Sequence, residues 1–144
     1  MSNSISIGVA FLDQDIVGAN VVSAKTIYAT DQLGYTNGAY GTVTQSNNKA
    51  TGVTLNKTAG TITTSNAQMA PGAKVAFIVT NSQVSALDTI IVNIASGATA
   101  TFAYLIAVVT VQDGFFTINL DNVSSNAYTD TLKINFSILH IASS

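Results

Sequence analysis

The sequence predicts an all-β protein whose fold is a jelly-roll-like antiparallel β-sandwich of about eight strands. Short runs rich in Val, Ile, Thr and Phe alternate along the chain with clusters of Gly, Asn and Ser, which is the pattern of strands joined by turns. No helical periodicity competes with these runs over a useful length. Their spacing from residue 42 onward is typical of a sandwich or a barrel.

The first three predicted strands lie in residues 34–64, which read GYTNGAYGTVTQSNNKATGVTLNKTAGTITT. We expect the strands at residues 42–45, 52–56 and 60–64. Each run is bounded by Gly, Asn or Ser, which readily adopt the backbone angles that turns require. This stretch is therefore interpreted as the opening of the sandwich.

The next three predicted strands, at residues 74–80, 89–95 and 101–111, are apolar on both of their alternating faces. Strands of this kind are usually covered on both sides. In addition, only 8% of the residues are charged, against about 25% in an average soluble domain. We therefore expect apolar surface to be buried between subunits of a homo-oligomer, most simply a homotrimer.

Two further strands, at residues 114–123 and 131–141, complete the predicted sandwich. In the last strand apolar residues alternate with polar ones, which indicates one buried face and one face in water. Phe136 belongs to the apolar set of that strand, as Phe77 does in the strand at residues 74–80. We expect these two rings to meet in the core.

Residues 1–33 differ from the rest of the chain. Ile5, Ile7 and Val9 alternate with smaller residues as in a short strand, and acidic residues follow. We interpret residues 1–33 as either an N-terminal attachment arm or a first hairpin of the same domain. Residues 34–144 form the predicted β-sandwich domain.

Charge and hydropathy argue against two classes of partner. The formal net charge of -2 does not suit a nucleic-acid-binding protein, which needs a basic surface to displace counterions from phosphates. The most apolar window, residues 102–111, has about half the length of a membrane-spanning helix. We therefore expect neither nucleic acid nor a membrane as a partner.

The residue types give little support for catalysis. The chain has no Cys and one His, so the usual zinc site cannot be assembled within one chain, and we expect no cofactor. As a catalytic base, His140 would need a nucleophile and an orienting carboxylate, and the neighbouring sequence suggests neither. His140 is therefore interpreted as a structural or interface residue, and the protein is predicted not to be an enzyme.

Two acidic positions have the oxygen chemistry that calcium prefers. Asp13 and Asp15 form an Asp-x-Asp pair, and Asp121 with Asn122 precedes a turn. Their spacing is far from a complete calcium-binding loop. We favour solvated turn carboxylates and predict no metal site.

Tyr35 and Tyr40 are the candidate contact residues. Both lie in the Gly-rich stretch before the first predicted strand, beside Asn and Thr. Exposed tyrosines in such a loop could stack on a sugar or anchor a neighbouring protein. The favoured alternative is that both rings pack over the end of the sandwich.

Three runs of the sequence resemble a family of small all-β domains of tailed bacteriophages and prophages. They are GYTNGAYGTVTQ, KATGVTLNKTAGTIT and FIVTNSQVSALDTIIVNIASGAT. The most specific part is residues 41–45 followed by residues 51–57, and the resemblance covers roughly residues 34–141. Domains of this family occur as free-standing virion proteins and at the C-terminal ends of tail fibres.

The resemblance implies a virion structural role and a trimeric assembly of jelly-roll domains. A chain of 144 residues without a fibrous shaft fits a capsid decoration or knob protein on the particle surface. Its expected partners are further copies of itself and other virion proteins such as the major capsid protein. The alternative is a receptor- or carbohydrate-binding tip of a tail fibre, with a host surface glycan as its partner.

Overall fold

A computed structural model describes residues 18–19 and 21–141 of the chain. Contacts divide the chain into two units, residues 1–33 and residues 34–144. In the first unit the described residues form no helix or strand and are exposed. The alternation at residues 5–9, and Asp13 with Asp15, lie outside the described residues.

The second unit is built almost entirely from strands. It opens with a 3₁₀ turn at Asn37–Ala39, and no helix of the described residues is both long and apolar enough to cross a membrane. Eight strands follow, one for each run that the sequence predicts. They are β1 (Tyr40–Thr44), β2 (Val53–Thr54), β3 (Ala59–Thr63), β4 (Lys74–Thr80), β5 (Thr89–Ser96), β6 (Tyr104–Gln112), β7 (Phe115–Asn122) and β8 (Lys133–Leu139).

The strands form two four-stranded sheets that pack against each other. The first sheet has the order β1-β3-β8-β5 and the second has the order β2-β4-β7-β6. Side chains from the inner faces of both sheets make one core. The predicted β-sandwich of eight strands is therefore confirmed.

Strand direction follows from the way the chain changes sheets. From β1 to β6 each strand lies in the other sheet from its predecessor, and β6 and β7 then pair as a hairpin. Since successive strands run in opposite directions, β1 meets β3 and β2 meets β4 in parallel. The four other pairings described are antiparallel, as expected. The two parallel pairs at the sheet edges differ from the antiparallel arrangement that the sequence predicts.

The core contains both phenylalanines that the sequence assigns to it. Phe77 and Phe136 are almost fully buried in one cluster, and the nearest ring partner of Phe136 is Phe116, with centroids 5.4 Å apart. Along β8 the inward set is buried, in agreement with the alternating pattern. The inward-facing residues of greatest burial are Ile62, Phe77, Val79, Phe116, Ile118, Leu120, Leu132, Ile134, Phe136 and Ile138.

Two details of the strands β4 to β6 differ from the sequence analysis. β6 begins at Tyr104, so Phe102, which the sequence places in a strand, lies in the preceding turn. The strands with two apolar faces are covered on one face only within a single chain. On the uncovered face Leu105 is 62% exposed and Val109 is 57% exposed.

Candidate functional site

The outer face of the second sheet exposes apolar side chains on two of its strands. Ile78 on β4 and Leu105 on β6 are exposed there, on either side of the central strand β7. The strand register also places Ala76 and Ala107 on opposite sides of Asn119. This surface, which we call the apolar face, arises because β4 and β6 carry apolar residues at both alternating positions.

A bulge in β6 extends the apolar face. The pairing register with β7 shifts between Val108 and Thr110, so Val109 is the extra residue of the strand. A bulge of this kind bends an edge strand and redirects a side chain. Here it leaves the Val109 side chain exposed on the edge of the sheet.

The two charges of the apolar face neutralise each other at one end. Lys74 Nζ lies 3.3 Å from Asp121 Oδ2, and Asp121 also accepts a hydrogen bond from the Asn119 side chain. Asp121 is a mostly buried residue of β7 and not the solvated turn carboxylate that the sequence suggests. The rest of the face therefore presents no net charge to a partner.

Asn122, the neighbour of Asp121, is a structural residue. Its buried side-chain amide donates to the carbonyl oxygens of Met69, Ala70 and Asn126, and its Oδ1 accepts from Ser124. These bonds join the end of β7 to two loops. The hydrogen-bonding atoms of Asn122 are thus occupied within the fold.

The outer face of the first sheet carries a row of polar residues. The register aligns Thr42, Thr61, Asn135 and Asn93 in one row across β1, β3, β8 and β5. Within this row Thr61 Oγ1 donates to Asn135 Oδ1 over 2.6 Å. We call this surface the polar face after that row of hydroxyl and amide groups, although Ile91 on β5 and Leu139 on β8 are also exposed on it.

Tyr35 and Tyr40 are about half exposed and are attached to different strands. Tyr40 is the first residue of β1 and not a loop residue, and its hydroxyl lies 2.7 Å from Thr61 Oγ1. The Tyr35 hydroxyl donates to the carbonyl oxygen of Ile138. Tyr40 thus borders the polar face, while Tyr35 is bound to the end of β8.

His140 has an orienting carboxylate that its neighbouring sequence does not reveal. Its Nδ1 lies 3.0 Å from Asp88 Oδ2, just beyond the end of β8. Burial alone would raise the pKa of Asp88, but hydrogen bonds from the Ser85 and Ile141 amides and from His140 lower it below its usual value. In the part of the chain that the structure describes, no Ser or Thr hydroxyl is hydrogen-bonded to His140.

A buried lysine is the polar feature that sequence reasoning missed most clearly. Lys49 is 2% exposed, and its Nζ donates to the carbonyl oxygens of Ser65 and Asp130 over 2.5 and 2.6 Å. Burial lowers the pKa of Lys49, and the charge of Asp130 opposes that change. Lys49 therefore joins the loop before β2 to the segments after β3 and before β8.

Asp130 connects this lysine to the loop between β5 and β6. Its carboxylate accepts hydrogen bonds from Thr99 and from the Tyr104 hydroxyl. Burial alone would raise the pKa of Asp130, but these bonds and the charge of Lys49 lower it. Burial and the charge of Asp130 in turn raise the pKa of Tyr104. Lys49, Tyr104 and Asp130 are thus buried together, and the exposed Thr99 is bound to the same carboxylate.

Comparison of the chain with protein-family models, with curated protein sequences and with solved structures finds no match. The resemblance to phage virion domains therefore stays a prediction from the sequence. The functional argument that follows depends on the surfaces and on that resemblance.

Proposed function

We propose that the protein is a virion structural protein of a tailed bacteriophage, most simply a capsid decoration or knob protein on the particle surface, without enzymatic activity. The observation that carries this proposal is the apolar face, an outer sheet surface that exposes Ile78, Leu105 and Val109 and whose two charges, Lys74 and Asp121, are paired with each other. Such a surface suits packing against other protein subunits. The resemblance of residues 34–141 to virion domains supports the same assignment.

The proposed assembly is a homo-oligomer, most simply a homotrimer. Soluble monomers rarely leave large contiguous apolar patches in water, and most soluble oligomers are symmetric assemblies of one chain. The apolar face would be covered within such an assembly. Light scattering tests this directly, because a stable monomer at micromolar concentration would contradict it.

Residues 1–33 are the proposed attachment segment, and the major capsid protein is the proposed partner. This role is consistent with a separate unit whose described residues are exposed and form no strand. We expect a chain of residues 34–144 to stay folded but no longer join the particle. Loss of its β circular-dichroism signal would instead show that residues 1–33 belong to the core.

The proposed location is tested by a density map of the intact phage particle. We expect eight-stranded sandwiches on the surface of the head, with density leading from each sandwich to the capsid. Sandwich density at the tip of a tail fibre would support the alternative function. Particles without this chain would contradict both.

The alternative, a receptor- or carbohydrate-binding tip, rests on a separate observation. Tyr40 is 46% exposed and borders the row formed by Thr42, Thr61 and Asn135. An aromatic ring beside hydroxyl and amide groups has the chemistry that binds a saccharide. The polar face is therefore the site to test for a glycan.

A further inference from the structure

Asn37 is the only asparagine of the sequence that is followed by glycine. In an Asn-Gly pair the backbone nitrogen of the glycine can attack the side-chain amide carbon of the asparagine, because glycine has no Cβ atom to obstruct the approach. Asn37 and Gly38 are the first two residues of the 3₁₀ turn before β1, and both are exposed to solvent. Water can therefore reach the pair.

The two groups that would react have no hydrogen-bond partner in the part of the chain that the structure describes. The Gly38 amide is not bonded to a carbonyl oxygen, and the preceding residue Thr36 makes no capping bond to the turn. The side-chain amide of Asn37 is equally unbonded within this range. Only the conformation of the turn keeps the Asn37 side chain away from the Gly38 nitrogen.

That turn is held by few contacts. The Ala39 amide donates to the carbonyl oxygen of Thr36 over 3.0 Å, and the Tyr40 amide donates to the carbonyl oxygen of Asn37. None of the three residues of the turn is buried. Short exposed turns of this kind open at a small fraction of the free energy of global unfolding. The reaction therefore needs local opening and not the loss of the sandwich.

The one Asp-Gly pair of the sequence, Asp113 and Gly114, has the contrasting arrangement. Asp113 Oδ1 accepts a hydrogen bond from the Ala86 amide over 2.8 Å. The Gly114 amide donates to the carbonyl oxygen of Val84 over 2.9 Å. Both groups of this pair are thus occupied, whereas both groups of the pair at residues 37–38 are available.

We propose that Asn37 is a site of spontaneous deamidation, at which the Gly38 backbone nitrogen displaces ammonia from the side chain. The bond from this nitrogen to Asn37 Cγ forms, the Cγ–Nδ2 bond breaks, and the proton of the Gly38 amide leaves with the ammonia. Water, the only co-reactant, then adds to either carbonyl of the succinimide ring. Addition at Cγ gives aspartate. Addition at the main-chain carbonyl gives isoaspartate, in which the chain continues through the former side chain.

Both products change the border of the polar face. Each adds a negative charge close to Lys57, whose Nζ donates to the carbonyl oxygen of Gly38 over 2.9 Å. Isoaspartate also lengthens the main chain by one carbon between the two bonds that close the turn. Tyr40, which is the first residue of β1 and borders the polar face, follows directly. The inference does not depend on the proposed virion function.

The modification is tested by ageing the isolated full chain in mildly alkaline buffer and mapping its peptides by mass spectrometry. We expect a mixture of aspartate and isoaspartate at residue 37. The same chain unfolded in guanidinium chloride gives reference rates. Folding should slow isoaspartate formation at Asp113 at least about tenfold more than at Asn37, because the reacting groups themselves are hydrogen-bonded only at Asp113. Equal slowing of the two sites would overturn the proposal.

Gly38→Ala is the decisive variant, because it keeps Asn37 and changes only the residue that attacks. A Cβ atom at Gly38 would meet Thr36 Oγ1 at 3.8 Å, an ordinary contact, and the φ angle of Gly38 is not positive, so the fold should be unchanged. Conversion should slow by at least about threefold from the lost backbone freedom alone. An unchanged rate would show that the Gly38 nitrogen is not the attacking group.

Asn37→Ser is the second variant, since serine has no side-chain amide to lose. Its aged chain should lack both the isoaspartate at residue 37 and the acidic form that ion-exchange chromatography separates from the fresh protein. If the acidic form accumulated equally in Asn37→Ser, deamidation would occur at another asparagine and the proposal would be wrong. A folded unchanged chain that stayed intact at residue 37 while its unfolded form reacted would overturn the proposal as well.

Discussion

The two outer faces of the sandwich use the same strand geometry for opposite surface chemistry. On the polar face Thr61 and Asn135 are hydrogen-bonded to each other and aligned with Thr42. On the apolar face the corresponding outward positions include Ile78 and Leu105, which are exposed. Polar groups that are already hydrogen-bonded to water or to each other are stabilised little by burial. Burial of exposed apolar groups, in contrast, lowers the free energy, because it removes apolar surface from water. In the proposed homo-oligomer, this difference favours burial of the apolar face and leaves the polar face in solvent.

The contrast between the two faces requires that side chains alternate between the core and the outer face along each strand. The first prediction, which has the largest expected effect on stability, tests that alternation. Phe136→Ala should destabilise the fold by about 3 to 5 kcal/mol, since it removes a buried ring and leaves a cavity. Phe77→Ala should cost a similar amount. Asn135→Ala, one position away on the polar face, should cost far less. Denaturant unfolding of the three variants measures this, and equal losses for the two neighbours on β8 would contradict the alternation.

The second prediction compares the same type of substitution on the two faces. Ile78→Lys should break the assembly, because an unpaired charge buried in an apolar contact costs several kcal/mol, or at least about a hundredfold in affinity. Asn93→Lys, a matched change at an exposed position of the polar face, should leave the oligomer intact. Light scattering at equal concentrations compares the two. If Asn93→Lys dissociated the oligomer and Ile78→Lys did not, the faces would have to be exchanged in the proposal.

How far the sequence could anticipate these faces depends on the range of the interactions. The strands were predictable because alternation and turn residues act over a few positions, as in β4 and β8. The parallel pairing of β1 with β3 could not be predicted in this way, because it depends on where the chain crosses between the two sheets. Long-range packing also explains why sequence analysis assigned no structural role to Lys49. Its ammonium group is bound by Ser65 and Asp130, which lie 16 and 81 residues away in the chain.

Phe102 is a second residue whose position depends on long-range contacts that the local sequence pattern does not reveal. Its apolar neighbours continue the pattern of β6, so alternation alone places it in that strand. In the structure the strand begins only at Tyr104, because Thr99 and Tyr104 are both bound to Asp130, which lies far along the chain. Local pattern therefore identified the apolar surface but not the turn that presents the ring.

The third prediction concerns acid, which should act at the ends of the sandwich and not on either face. Asp88 and Asp130 have pKa values below their usual 3.8, so the stability that they contribute is present above pH 3.8 and is lost as the pH falls below it. We expect the melting temperature to fall between pH 4 and pH 2. Each kcal/mol lost should lower it by roughly 4 °C.

The control for the acid effect is removal of one carboxylate. Asp88→Asn should be less stable than the unchanged protein at pH 7, because the amide replaces the charge that His140, Ser85 and Ile141 stabilise. The melting temperature of Asp88→Asn should then fall less than that of the unchanged protein between pH 4 and pH 2. Parallel melting curves for the two proteins would indicate that the acid transition arises elsewhere in the chain.

The smallest expected effects belong to the edge of the polar face. Tyr40→Ala removes a half-exposed ring and one hydrogen bond to Thr61, and Tyr35→Ala removes the bond to the Ile138 carbonyl. A hydrogen bond of this kind contributes about 0.5 to 1.5 kcal/mol, so both variants should melt much closer to the unchanged protein than Phe136→Ala or Phe77→Ala. If the polar face binds a glycan, Tyr40→Ala should lose binding on a glycan array while its fold is intact. Losses of stability as large as those of the core variants would instead show that both tyrosines belong to the core. The carbohydrate-binding alternative would then have no exposed aromatic ring to support it at this edge.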